Sequence, residues 1–215
     1  MSKNNNHLAR DCLISDNEAA RCPRTGEHME DRRIRKTKRA FHDALVELLR
    51  KREMRSISVR ELCDLADSHR STFYYHYSDI YELYEEVEGQ LLDEFSSVLA
   101  TDDSHTYYAT YGQVIAHIEE HRDVWEVLLL ERGSQGFRDR VSGLLEERYL
   151  EIWKYETGRE DFSDEFHMVA KASIAAFMTL LVEWLRAGDA WSADRIRPLL
   201  ERMDGAFDEL LDGYV

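Results

Sequence analysis

Six side chains between positions 70 and 76 carry donors of the kind that grip or read a nucleic acid: Arg70, Ser71, Thr72, Tyr74, Tyr75 and His76. Arginine can take guanine through two hydrogen bonds in the major groove, threonine can meet a thymine methyl or a phosphate, and tyrosine and histidine can donate to the sugar-phosphate backbone. Upstream, Ser58 and Arg60 open another short apolar-periodic segment, where backbone N–H groups, a hydroxyl and a guanidinium together suit a phosphate. A second constellation, His117-Ile118-Glu119-Glu120-His121, has the H-x-x-E-H spacing that places two histidines on one helical face for a metal. It lies at a helix end beside Arg122, and no downstream glutamate stands out as a third ligand, so no metal is expected there. The chain has no Gly-rich phosphate loop and no nucleophile elbow, and no carboxylate pair stands apart from its general acidity. An enzyme is therefore not expected, and no cofactor.

The elements that must position the first group are all helical. Ile34, Phe41, Ala44, Leu45, Leu48 and Leu49 recur at helical spacing from Asp31 to about Lys51. Ser58 followed by Glu61 is a capping box, and Ile57 with Leu62 is placed as a hydrophobic staple, which starts a helix at Ser58. Asp67-Ser68-His69 interrupts it, and a short helix from Arg70 to about His76 follows. A basic helix, a capped short helix, a turn and another short helix are the parts of a helix-turn-helix, whose second member lies in the major groove. Ser78-Asp79 then caps a long amphipathic run, Ile80, Leu83, Tyr84, Val87, Leu91, Phe95 and Val98, which reads as a connector between two lobes. Further helices are expected at about 107–120, 122–130, 137–155, 164–186 and 192–211, with Pro198 in the last pattern implying a first turn that breaks and restarts. With no alternating β pattern, the chain reads as all-α with about nine helices. Its expected parts are a flexible arm at 1–30, a three-helix DNA-binding domain at 31–78 and a second helical domain at 79–215.

Charge sharpens that division. The 215 residues carry a formal net charge of −15, which taken alone argues against a polyanionic partner. Residues 32–60, however, hold eleven Lys or Arg against Asp43, Glu47 and Glu53, a local net of +8, while residues 78–215 hold twelve basic and thirty-one acidic side chains, a net of −19. Only one face can meet phosphates. Cys12, Cys22 and Cys63 are odd in number with no CxxC spacing, which implies reduced thiols, with Cys63 in an apolar stripe as core. No run of about 18 consecutive apolar residues and no leader are present, so a cytoplasmic protein without a membrane partner is expected.

The stretch from Ala66 to Tyr77 resembles the signature of the TetR (tetracycline-repressor-like) family of bacterial transcription regulators, roughly A-G-V-S-x-G-T-[FL]-Y-x-[HY]-F, through Ala66, Thr72, Phe73, Tyr74, His76 and the aromatic Tyr77. The likeness is strongest over Ile34–Leu92 and continues through Tyr81, Glu82 and Leu83. It is also visible from Phe177 to Trp184, at Gly188 and at Ser192. Three positions depart: Asp67 replaces the turn glycine, His69 the serine at the start of the recognition helix, and Ile80 a lysine that touches phosphate. Aspartate tolerates a left-handed turn conformation, whereas His69 is a weaker cap and Ile80 carries no phosphate contact.

The resemblance implies a regulator, more often a repressor, that binds a pseudo-palindromic double-stranded operator as a homodimer and responds to a small-molecule effector. It implies an effector cavity lined by some of Tyr107, Tyr111, Trp125, Phe137, Trp153, Phe177 and Trp184, where core packing is the competing reading for each. It also implies a four-helix interface from the last two helices, through Ile174, Met178, Leu181, Leu185, Leu199, Met203, Phe207 and Leu210. Dimerisation is expected independently, because one short recognition helix reads too few base pairs to be specific. Effector binding would change the separation of the two recognition helices from the roughly 34–36 Å that adjacent major grooves require. The rival is an adaptor or coactivator of the same fold that acts through a protein partner.

Overall fold

The structure is a computed structural model that describes residues 25–100, 107–130 and 135–211. Among them are nine α-helices: α1 (Thr25–Leu49), α2 (Val59–Leu65), α3 (Arg70–His76), α4 (Ile80–Ala100), α5 (Tyr107–Glu120), α6 (Arg122–Leu130), α7 (Gln135–Thr157), α8 (Asp164–Ala187) and α9 (Ala193–Leu211). The fold is all-α. The chain divides into a segment ending at Thr37 and a compact body from Lys38 to Val215. Most of the arm expected at 1–30 lies outside the described residues.

Within the body, two hydrophobic clusters form. The smaller collects Phe41, Ala44, Leu45, Leu48 and Leu49 from α1 with Ile57, Leu62, Cys63, Phe73 and Tyr77, and continues into Ile80, Leu83 and Val87 of α4 and Val127 of α6. Cys63 is a buried free thiol, held above its usual range by that burial. The larger cluster takes the rest of α4, namely Leu91, Phe95 and Leu99, together with the apolar faces of α5 to α9. Helix α4 therefore belongs to both, and Arg140 of α7 pairs with Glu88 near its middle. Asp79 caps α4 by accepting from the Glu82 N–H (3.0 Å), while Glu82 accepts from both the N–H and the hydroxyl of Ser78 (2.6 Å each).

Helix α8 is the spine of the larger cluster. By length and apolar composition it could cross a membrane, but ten of its residues are buried in the core, from Phe166 to Leu185. Four of the residues expected at a dimer face are among those ten: Ile174, Met178, Leu181 and Leu185 are 0–7% exposed within the single chain. Helical spacing alone does not separate a core stripe from an interface stripe, and here the core takes these four. On α9 the two stripes are distinct. Ile196, Leu200 and Leu211 face inward, whereas Leu199 and Leu210 are 40% and 56% exposed, with Met203 and Phe207 half-buried between them.

The aromatic density of this lobe is mainly core. Trp125 stands edge-on to Phe95 (5.2 Å) and tilted against Phe137 (5.6 Å), Trp153 stands edge-on to Phe166 (5.4 Å), and Trp184 donates from Nε1 to the Trp191 carbonyl (2.9 Å) beneath the Arg122 guanidinium. Trp125, Phe137, Trp153 and Trp184 do not line the cavity between α5, α7 and α8. That cavity is bounded by Thr110, Tyr111, Leu145, Arg148, Tyr149, Ile152, Ser173, Ile174 and Phe177, so two of the rings named from sequence, Tyr111 and Phe177, border it. The side chain of Tyr107 lies outside the described residues. The cavity measures about 30 Å³. That is room for a water or two and not for an effector.

Helix α9 runs unbroken through Pro198, contrary to the expected restart. The ring removes one backbone bond, the one to the carbonyl of exposed Asp194 near the helix start, and Pro198 itself is exposed.

Candidate nucleic-acid interface

Helices α2 and α3 form the expected pair. Ser58 caps α2 through a complete capping box: its hydroxyl oxygen accepts from the Glu61 N–H (3.3 Å), and the Glu61 carboxylate accepts from the Ser58 N–H (3.1 Å) and hydroxyl (2.8 Å). These Ser58 bonds, with Arg52 at 3.1 Å, hold the Glu61 carboxyl below its usual range. Asp67 then adopts φ +47°, the left-handed conformation that the turn requires and that aspartate tolerates. His69 is the N-cap of α3 and makes no side-chain cap bond, as its replacement of serine implies.

Seven residues at 100° steps give α3 two faces. Phe73 is fully buried and Tyr77, the C-cap, nearly so, packed edge-on to Phe41 at 5.4 and 6.2 Å. Arg70, Ser71, Tyr74 and Tyr75 point outward, with Thr72 and His76 half-buried on the flanks. Tyr74 is 58% and Tyr75 77% exposed, although both are large rings that burial would favour. Neither these four side chains nor those of Thr72 and His76 hydrogen-bond or ion-pair with another described residue. The sequence thus places six donors in one short segment, and the fold leaves them open on a helix anchored from behind.

The neighbouring basic segment behaves differently. Lys38 pairs with Glu86 (2.6 Å), Arg50 with Glu126 (3.6 Å), Lys51 with Glu47 (2.7 Å), Arg52 with Glu61, and Arg60 with Asp64 (3.7 Å), while Arg55 holds Glu53. The local excess counted from sequence is therefore partly neutralised within the fold. Ser58 spends its hydroxyl inside the capping box, so a phosphate would have to compete with Glu61 for it.

One group of contacts was not signalled by the six-donor pattern. The Glu86 carboxylate accepts from Lys38 Nζ on Oε2 (2.6 Å) and from His42 Nε2 (2.9 Å) and the Tyr77 hydroxyl (3.0 Å) on Oε1. Burial would raise the Glu86 carboxyl, but these three bonds outweigh it and hold the group below its usual range. The Tyr77 hydroxyl is pushed up, first by burial and then by Glu86. The only sequence signal was Tyr77 itself, a hydroxyl on a ring where the resembled signature ends in phenylalanine. Elsewhere, His117 is packed between Phe95 and Trp125, with burial lowering its pKa, while His121 lies 3.8 Å from Glu94. No cluster of three metal-ligating side chains occurs among the described residues.

No family model matches the chain, and no curated protein matches it. Solved structures do. A TetR transcriptional regulator from Streptococcus agalactiae 2603V superposes with a TM-score of 0.60 at 24% identity, over 86% of this chain and 98% of that one. The dihydroxyacetone kinase operon activator DhaS matches at 0.56 and 15%, over 83% and 97%. NalD, the secondary repressor of the MexAB-OprM multidrug efflux pump in Pseudomonas aeruginosa, matches at 0.54 and 18%, over 82% and 95%. Each likeness extends through the larger cluster as well as the helix-turn-helix, which a shared three-helix motif alone would not produce. The chain has the fold of the TetR-type transcriptional regulators.

Proposed function

We propose that this protein is a TetR-family transcription regulator that binds double-stranded DNA through α3. The observation that carries the reading is the outward face of that helix, where the side chains of Arg70, Ser71, Tyr74 and Tyr75 make no hydrogen bond or ion pair with the described residues, beside a serine-capped α2. Arg70 in the first turn would read a guanine, and Tyr74, Tyr75 and His76 would grip sugar and phosphate. Selection of binding sites from fragments of genomic DNA tests it. An enriched sequence whose binding weakens on Tyr74→Ala supports the reading, and no enrichment removes it. Acting on the chromosome of a bacterium would place the protein in the cytoplasm.

The operator-bound form is a homodimer, supported by the exposed apolar stripe Leu199, Met203, Phe207 and Leu210 on α9. Sedimentation showing a monomer at micromolar concentration would oppose this. Control by a small effector and action as a repressor complete the reading. The 30 Å³ cavity between α5, α7 and α8 favours a second one: an adaptor of the same fold whose input is a protein partner, since an effector would have to displace core side chains to enter that cavity. A thermal-shift screen of small molecules separates them, because a ligand that binds the folded state raises the melting temperature.

A further inference from the structure

We propose that Glu86 is a positioning residue for the recognition helix, tethering its carboxyl-terminal end through the Tyr77 hydroxyl to α1 and α4. The inference rests on α3 being the DNA-contacting helix. Helix α3 is seven residues long, lacks a side-chain cap at its start, and is held from behind by two rings, Phe73 and Tyr77, both packed on Phe41. Ring packing is only weakly directional and permits a short helix to roll or tilt by small angles. A hydrogen bond does not.

The Tyr77 hydroxyl supplies that direction. It donates to Glu86 Oε1 (3.0 Å), while the same carboxylate is fixed by Lys38 (2.6 Å) and His42 (2.9 Å), both on α1. Lys38 also lies over the Tyr77 ring, 5.3 Å from its centre, so lysine, tyrosine and carboxylate orient one another. Glu86 sits on α4, whose far end is built into the larger cluster by Leu91, Phe95 and Leu99. One carboxylate thereby joins the end of the recognition helix to the first helix of its own lobe and to the helix shared with the other. Phenylalanine at position 77 would keep the ring and lose the tether.

A merely stabilising network and a positioning one differ in the sign of their effect on DNA. Removing a negative charge and freeing Lys38 should tighten binding to all DNA by electrostatics alone. Loss of position should weaken the selected operator relative to unrelated DNA. The experiment measures affinity at fixed salt for an operator selected from a random double-stranded library and for a scrambled duplex, using full-length wild type, Tyr77→Phe, Glu86→Gln and Glu86→Ala. Amide hydrogen exchange is followed on the same free proteins. Tyr77→Phe, which changes no charge and keeps the ring, is expected to lower the ratio of specific to nonspecific affinity about two- to tenfold. Glu86→Ala is expected to lower it further while nonspecific binding holds or tightens, and the amides of 70–77 should exchange faster with those of α5 to α8 unchanged. An unchanged ratio in both variants, uniform tightening on both duplexes, or wild-type exchange across 70–77 would overturn the proposal. Should wild type select no sequence, the DNA-binding reading fails, and exchange across 70–77 still decides whether the tether positions α3.

Discussion

Helix α3 presents Arg70, Ser71, Tyr74 and Tyr75 to solvent with no hydrogen-bond or ion-pair partner among the described residues, whereas the contact between α5 and α9 buries Tyr111 against Asp204 and leaves neither to water. Both regions place polar groups at helical spacing beside apolar ones. On α9, Asp204 falls in the inward stripe between Leu200 and Leu211, and Tyr111, stacked on Phe177 at 5.1 Å, donates to it at 2.8 Å. Burial pushes the Asp204 carboxyl up to about 6 against the opposing pull of that bond. A buried polar group must find its partner inside the chain, while an exposed set on a rigid helix is free to find one outside. On the proposed function, the contrast separates groups that serve the fold from groups that serve a ligand, and it is open to direct attack.

The largest effect should come from removing the anchor that makes α3 rigid. Phe73→Ala deletes a fully buried ring in contact with Phe41 and Tyr77 and should cost about 3–5 kcal/mol of stability by denaturant titration. A loss under about 1 kcal/mol would mean that α3 is not packed as described.

The buried carboxylate comes next. Because the folded-state pKa of Asp204 lies above its ordinary value of 3.8, the native state holds its proton more tightly than the unfolded chain does. Its contribution therefore falls as pH rises from about 4 to 6, and above that range it leaves a penalty of up to about 3 kcal/mol. Asp204→Asn can still accept from Tyr111 and should stabilise the protein at pH 7.5 with little gain at pH 4. Equal effects at both values would show that the carboxylate is not strained by burial.

Smaller effects should distinguish α2 from α3, helices of equal length with unequal ends. Ser58→Ala breaks the capping box and should lose about 1 kcal/mol. His69→Ser supplies the missing cap on α3 and should gain less, up to about 1 kcal/mol, read as a rise in melting temperature. If the two substitutions shifted stability by the same sign, the difference between the two helix starts would not be the cap.

What could be read from sequence follows the range of the interaction. The capping box at Ser58 and Glu61, the left-handed Asp67 and the bare cap at His69 are decided within three or four residues, and all three are seen in the structure. The all-α architecture follows from helical periodicity in the same way. Contacts across the chain were not legible. Pairing of Arg50 with Glu126, and of Lys38 and Tyr77 with Glu86, turns part of an apparent basic surface into internal structure, which a count of charges cannot register. Leu181 and Leu199 have the same hydropathy and similar spacing, yet one is buried in the core and the other exposed. Aromatic density likewise could not distinguish Trp125, packed on Phe95 and Phe137, from a ring that borders a cavity.

The central claim is that the open face of α3 exists to meet base pairs, and it is tested most directly by selecting binding sites from a random double-stranded library with wild type and with Arg70→Ala. Wild type should enrich a pseudo-palindrome whose half-sites lie roughly 34–36 Å apart, about one helical turn. Arg70→Ala, a substitution at an exposed side chain, should fold normally, lose about 1–3 kcal/mol of affinity and relax one position in each half-site. Enrichment of no sequence by wild type, or of the same sequence with the same affinity by both proteins, would contradict the account.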